Sequence, residues 1–159
     1  RLRSPRFPVF DTGRGGRYTY HGPGQRVLYV MLDLTQHGSD VRSYVNKLEQ
    51  WLIDTLADFE INAERRSGRI GIWVPGGDGR DLKKGAIGVR VRRWVIFHGA
   101  SLNVASDLEH YGYIIPCGVR DQGITSITAL GITLKMSDVD SALKYNFEKH
   151  FGTTMEVAT

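Results

Sequence analysis

Arg26-Val27-Leu28-Tyr29-Val30-Met31-Leu32-Asp33-Leu34 is an apolar run dominated by β-branched and aromatic residues, which predicts a largely buried strand. After the five residues from Thr35 to Ser39 the period changes. From Asp40 to Phe59, the residues Val41, Tyr44, Val45, Leu48, Trp51, Leu52, Leu56 and Phe59 recur at helical spacing and form one broad core-facing stripe. Downstream, Ile61 to Arg66 and Arg69 to Val74 flank Ser67-Gly68 as a hairpin, and Pro75-Gly76-Gly77-Asp78-Gly79 reads as a loop. Ala86 to Val91, Trp94 to His98 and Leu102 to Ala105 then carry short apolar or alternating patterns. A last helix is expected to start after Ser137, with Asp140 as a capping-box variant, and to end near Gly152. A strand, a helix, a block of strands and a final helix predict an α+β fold with a mixed, mostly antiparallel sheet and flanking helices.

The bulk composition sets limits on what such a fold does. With 159 residues, 41% hydrophobic and 24% charged, the chain is expected to form a single domain over residues 1–159 with an adequate core. It holds no apolar run long enough to span a bilayer and no charged-then-apolar leader, so a cytoplasmic location away from membranes is expected. The net charge of +4 is local: residues 1 to 26 hold six arginines against Asp11 alone, and the remainder is balanced with 15 bases and 16 acids. Such a cluster attracts an anionic partner. No nucleic-acid reading motif accompanies it, so nucleic acid is not the expected partner.

Three segments carry candidate chemistry. The first, Gly13-Arg-Gly-Gly-Arg-Tyr-Thr-Tyr-His-Gly-Pro-Gly-Gln25, sets glycines and a proline among arginines, aromatics and a histidine directly before the first strand. Glycine at this density permits close backbone approach to a ligand. The lysine and serine or threonine of a P-loop are missing, so the spacing does not support a nucleotide phosphate site. The second segment is Leu82-Lys-Lys-Gly-Ala-Ile-Gly-Val-Arg-Val-Arg-Arg93. In an extended chain Lys83 shares a side with Ile87, Val89 and Val91, the expected inward face, while Lys84 joins Ala86, Arg90 and Arg92 on the wetter one. An inward lysine at a strand start is suited to proton transfer, because desolvation favours its neutral form. The third is Cys117, the chain's single cysteine, between Pro116 and Gly118. It has no intramolecular disulfide partner and cannot build a cysteine-rich zinc site, which leaves a buried filler, an accidental residue or a nucleophile. Of the histidines, His21 is expected to shape a pocket beside the glycine loop, His98 is weighed as a cysteine partner or metal ligand, and His37, His110 and His150 read as surface or structural residues. No cluster shows metal-ligand spacing, and no metal or cofactor is expected.

Taken together, Arg14-Gly-Gly-Arg-Tyr-Thr-Tyr-His-Gly-Pro-Gly-Gln25, Lys83-Lys-Gly-Ala-Ile-Gly88, Phe97-His-Gly-Ala-Ser-Leu-Asn103 and Pro116-Cys-Gly118 resemble, in order and spacing, the lipoyl(octanoyl) transferase family of the biotin and lipoate protein ligase superfamily. The resemblance covers essentially the whole chain. It implies the biotin/lipoate protein ligase catalytic-domain fold and a cytoplasmic acyltransferase that moves an octanoyl group from octanoyl-acyl carrier protein to a lysine of lipoyl domains. Those acceptors would be the lipoyl domains of 2-oxoacid dehydrogenase complexes and the glycine cleavage H protein. On the family pattern, Cys117 matches the acyl-thioester nucleophile and Lys83 the lysine that pairs with it. Arg14, Gly15, Gly16, Arg17, Tyr18, Thr19, Tyr20 and His21, with Ala86, Ile87, Gly88, Gly99, Ala100 and Ser101, would line the acyl pocket and its mouth. Two departures stand out. Lys84 occupies a position that is usually apolar in the family, and the chain begins at Arg1 where the family carries a further N-terminal stretch, so an N-terminal segment is expected to be missing. The rival readings are an ATP-dependent lipoate ligase, which needs no nucleophilic thiol, and a non-enzymatic binding module using the basic end.

Overall fold

A computed structural model describes residues 7–114 and 123–152. The first strand, β1, spans Gln25–Tyr29, and the helix α1 spans Val41–Ala57. Four further strands follow, β2 at Glu64–Arg66, β3 at Arg69–Pro75, β4 at Asp81–Arg92 and β5 at Val95–Asn103, then a two-residue strand β6, Gly123–Ile124, and the helix α2, Met136–Phe151. The sheet order is β1-β5-β4-β3-β2, all antiparallel, with β6 added parallel to the start of β4. The mixed, mostly antiparallel sheet with flanking helices is therefore present as expected.

The stripe on α1 buries Tyr44, Leu48, Trp51, Leu52 and Leu56, while Val41 at the helix start stays exposed. Asp40 caps the helix, its carboxylate accepting from the backbone N–H groups of Arg42 and Ser43. Trp51 is the joint between the helices. Its indole Nε1–H donates to the Leu143 carbonyl at 2.8 Å, and its ring meets Phe147 edge-on at 5.0 Å between centroids. Beneath them Leu28, Val30, Ile72, Val74, Ile96, Ala100 and Leu102 supply the core face of the sheet.

Three boundaries differ from the sequence reading, each for a tertiary reason. The strand anticipated over residues 26–34 is regular only to Tyr29, because His98 takes a left-handed backbone (φ +66°) that interrupts the β1–β5 ladder. Beyond it the pairing continues irregularly, with Val30 N–H donating to His98 O at 2.6 Å and Leu34 N–H to Trp94 O at 2.8 Å. The three short segments expected between Ala86 and Ala105 are two long strands joined by a tight turn at Arg93 and Trp94, both at positive φ. Finally, α2 starts at Met136 with no side-chain cap, and Asp140 is not a capping residue: it pairs with Arg26 at 2.6 Å, tying the helix to β1. Gly152 closes α2 in the left-handed conformation that glycine adopts without strain. Among the described residues, no helix is long and apolar enough to cross a membrane.

Replacing the fully buried Trp51 by alanine removes both the edge-on ring contact and the bond to Leu143. Trp51→Ala is expected to lower unfolding stability by about 3–5 kcal/mol, and Trp51→Phe, which keeps most of the ring contact, by less; denaturant titration followed by far-UV circular dichroism checks the order.

Candidate active site

On the face of the sheet turned away from the helices, the registered pairs Ala86↔Ser101 and Gly88↔Gly99 lie side by side, with Val27 and Tyr29 of β1 next to them. Four small residues in two adjacent strands leave a depression in the sheet surface. Gly99 has no freedom to be anything larger, since a Cβ there would collide with the Leu28 carbonyl oxygen. The glycine-rich loop lies across the depression. Gly15 N–H donates to Val89 O at 3.2 Å, and the Arg14 side chain passes over Gly88, near enough that a Cβ on Gly88 would sit 3.2 Å from Arg14 Cδ. Arg14 in turn holds the loop's shape by donating to the carbonyls of Gly15 (3.0 Å) and Arg17 (2.8 Å).

Loop and sheet enclose a cavity of about 540 Å³. Arg14, Gly16, Arg17, Tyr18, Thr19, Tyr20, His21, Ala86, Ile87, Gly88, Gly99, Ala100 and Ser101 all line it. Gly15 does not, and serves as the backbone tie to β4. The lining also includes residues the sequence reading missed: Phe7 and Phe10 just upstream of the glycines, Tyr29 at the end of β1, and His110 and Tyr113 from a short 3-10 helix at Leu108–Tyr113. Phe7 and Phe10 stand beside the glycine motif and were legible as neighbours of it, whereas nothing local marked His110. Read as a surface or structural residue, it instead borders the cavity, with Nδ1 2.7 Å from the Tyr20 hydroxyl and its ring against Phe7. His98 lines the cavity as well, while His37 is exposed and His150 bonds Asp54 on the helical side.

A buried polar network sets the cavity's inner end. Gln25 Nε2 donates to Asn103 Oδ1 at 2.9 Å and lies 2.8 Å from the Tyr111 hydroxyl, and Gln25 Oε1 meets His21 Nδ1 at 2.6 Å. Asn103 Nδ2 donates onward to the Thr125 carbonyl at 3.1 Å. Loop, strand β5, the 3-10 helix and the segment entering from β6 are thereby held to one another by groups that cost free energy if left unpaired.

Lys83 lies at this same end. Its side chain is buried, its Nζ donates to the Ile70 carbonyl at 3.2 Å, and it stands 5.2 Å from the centre of the Trp73 ring. A narrow cleft of about 20 Å³ joins Lys83 to Tyr18, Thr19, Ala86 and Ser101, all four of which also line the main cavity. The face expected for Lys83 is corrected: it shares the side of Ala86 and Ser101, not that of Ile87 and Val89, which pack on the core. The reason is a bulge. Ile72 pairs with Gly85 while the next residue, Trp73, pairs with Lys83, so Lys84 is one residue too many and the two-residue alternation slips there. The second half of the expectation is overturned with it. Lys84 is fully buried rather than on a wetter face, its Nζ has no hydrogen-bond partner among the described residues, and loss of solvation pushes its pKa down to about 7.

Cys117 lies outside the described residues. The described ends on either side of its segment converge on the site: Ile114 lines the cavity, and Gly123–Ile124 pair with Leu82–Lys83. Among the described residues, no group of three or more histidine, cysteine, aspartate or glutamate side chains is placed to hold a metal.

Residues 1–148 match the lipoyl protein ligase A/B catalytic domain. The chain belongs to that family. Among its relatives, the octanoyltransferase of Paramagnetospirillum magneticum is 61% identical over 147 residues, covering 92% of this chain and 69% of that protein. The octanoyltransferase of Rhodospirillum rubrum is 59% identical over 152 residues, covering 95% and 70% respectively. At this similarity the chain is an acyltransferase that transfers octanoyl groups in lipoylation. Two solved structures share the fold. A bipartite lipoate protein ligase from the archaeon Thermoplasma acidophilum superposes with a TM-score of 0.68 at 19% identity, over 91% of this chain and 58% of that one. A lipoate-protein ligase A bound with ATP gives 0.68 at 15% identity, over 91% and 59%. The expected family and fold class are both borne out.

The buried Lys84 makes stability depend on pH in a definite direction. Its pKa is about 7 in the folded chain against an ordinary value of 10.5, so between these limits the unfolded chain binds more protons and stability rises with pH. Below about pH 7 the full cost is present, and near pH 10.5 it is gone. Lys84→Met is therefore expected to stabilise the protein by on the order of a few kcal/mol at pH 6, with the gain shrinking towards pH 10; urea titrations of both proteins across that range check it.

Proposed function

We propose that the chain takes an octanoyl group from octanoyl-acyl carrier protein onto Cys117 Sγ and passes it to a lysine of a lipoyl domain, the first step of protein lipoylation. The observation that carries this reading is the cavity: an open-mouthed space of the size that suits a small acyl ligand, floored by glycines and alanine, with Lys83 in the adjoining cleft and both described ends of the Cys117 segment nearby. In the first step Lys83 Nζ accepts the thiol proton of Cys117, and the thiolate adds to the donor's carbonyl carbon. The carbon–sulfur bond to the carrier then breaks, and the carrier leaves as a thiol that receives the proton from Lys83. In the second step a neutral lysine amine of the acceptor adds to the new thioester, Cys117 leaves, and the amine's proton returns to its sulfur through Lys83. One thioester is exchanged for another at little cost, and only the final amide is strongly downhill.

Tyr18 and Thr19 separate the cleft at Lys83 from the main space, so they bound the route between acyl chain and amine. The acceptors in this reading are the lipoyl domains of 2-oxoacid dehydrogenase complexes and the glycine cleavage H protein. A reducing cytoplasm suits a reaction that needs a free thiol.

The protein incubated with octanoyl-acyl carrier protein is expected to gain one octanoyl mass increment on Cys117, found by intact mass and peptide mapping. Cys117→Ala is expected to abolish the adduct and Lys83→Ala to slow its formation by about 10²–10⁴-fold. ATP-dependent transfer from free octanoate that survives Cys117→Ala would instead establish an adenylate-forming ligase.

A further inference from the structure

We propose that Glu49, buried on helix α1, is a positioning residue for Lys83 and acts on it through a single peptide group. The proposal rests on the transferase reading above and deepens it. It starts from an irregularity in β3. Ile70 and Gly71 fall between the registered pairs Arg66↔Arg69 and Ile72↔Gly85, and Gly71 takes a φ of +128°, which residues with a side chain rarely adopt. Side chains meet both polar groups of the peptide that joins these two residues. Gly71 N–H donates to Glu49 Oε1 at 3.0 Å, and the Ile70 carbonyl accepts from Lys83 Nζ at 3.2 Å. One planar unit thus connects a carboxylate on α1 with the amine at the inner end of the cavity.

Both ends of this connection are buried and closely fitted. The second oxygen of Glu49, Oε2, lies 3.2 Å from Nε of the exposed Arg65, so one side of the carboxylate is met at the surface and the other is committed to the peptide. At Lys83 there is no room for another atom: a Cβ on Gly71 would stand 2.8 Å from Lys83 Cε and 2.8 Å from the Gly85 carbonyl oxygen. Trp73, the partner of Lys83 across the ladder, places its ring centre 5.2 Å from Nζ. The other charged groups nearby are engaged elsewhere. Asp81, two residues earlier on β4, is held by Arg66 and Arg69, and the Arg69 guanidinium lies over the Trp73 ring at 4.9 Å. Lys84 makes no hydrogen bond to any described residue. A buried carboxylate costs free energy that an apolar side chain at the same place on the helix would not, so stability alone gives no reason for an acid at this position.

The chemistry supplies the reason. A carboxylate that accepts from an amide N–H polarises the amide, and the carbonyl of that amide becomes a stronger acceptor, because hydrogen bonds in a chain reinforce one another. One N–H of the Lys83 amine is thereby fixed on Ile70, which aims the rest of the nitrogen. When Nζ takes the thiol proton, its new positive charge stands at the end of a hydrogen-bonded chain that begins with a negative one, fixed in place before the reaction starts. Glu49 does not line the cavity, so its effect on the rate runs through the peptide and Lys83.

The test measures single-turnover formation of the octanoyl adduct on Cys117 from octanoyl-acyl carrier protein, by intact mass, for the wild-type protein, Glu49→Gln, Lys83→Ala and the double variant, with urea unfolding of each. Glutamine keeps the size of the side chain and an oxygen for Gly71 N–H but removes the charge. Glu49→Gln is expected to lower the maximal rate by about tenfold, a coupling typical of groups in one hydrogen-bond network, and to leave the carrier concentration at half-maximal rate unchanged. In the Lys83→Ala background the same substitution is expected to have no effect. Glu49→Asp, which keeps the charge but falls one methylene short of Gly71, is the second variant; it is expected to slow the reaction less, again only when Lys83 is present. A wild-type maximal rate in both Glu49 variants would overturn the proposal, and so would an equal loss with and without Lys83, which marks a general disturbance of the sheet. In either case an adduct that forms fast in the wild-type protein and slowly in Lys83→Ala still upholds the transferase reading; no adduct on wild-type Cys117 removes both.

Discussion

The pairing of β4 with β5 is the constraint on which the rest of the molecule depends. From Gly85↔Leu102 to Arg92↔Val95 the two strands run antiparallel without a break, and each side of the ladder has its own task. One side sends Ile96, Ala100 and Leu102 into the core beneath the helices; the other sets Ala86, Gly88, Gly99 and Ser101 as the cavity floor and continues outward to Arg90 and Arg92. A strand's two-residue period makes these tasks inseparable, because a slip of one residue would exchange them.

The floor alone is only a shallow depression. Its walls come from a loop with little regular structure, so the loop's position has to be imposed by tertiary bonds, and the buried amides impose it. Gln25 and Asn103 face each other as the terminal pair of the β1–β5 ladder, and between them they reach His21, Tyr20, Tyr111 and Thr125. The partners come from three segments: Tyr20 and His21 from the loop, Tyr111 from the 3-10 helix and Thr125 from the residues after β6. A network of this kind contributes modest net stability per bond, yet it excludes alternative loop placements, since any of them would strand a buried polar group.

The two adjacent lysines show how a small irregularity separates chemical roles. Lys83 finds the Ile70 carbonyl and the Trp73 ring, whereas Lys84, the extra residue of the bulge, is enclosed without a hydrogen bond to any described residue. The chain thus tolerates a buried amine one residue from the lysine assigned to proton transfer. Burial alone favours the neutral form of Lys84, in line with the downward shift of its pKa.

Much of this was readable in advance where the physics is local. The helical stripe from Tyr44 to Leu56, the helix end near Gly152 and the hairpin around Ser67-Gly68 all follow from side-chain period and backbone chemistry within a few residues. The glycine motif was legible as a binding loop for the same reason, whereas the small residues at 86, 88, 99 and 101 were assigned to the pocket only by the family resemblance. What the sequence by itself determined was the type of the main elements, the two helices and the strands of the sheet, and the class of fold. Only the tertiary structure decided which face each lysine of β4 takes, that His110 borders the cavity, and which of the described arginines pair with carboxylates. Those outcomes depend on the partner across the sheet or across the loop: the bulge at Lys84 exists only against β3, and an arginine is neutralised only if folding brings an acid to it.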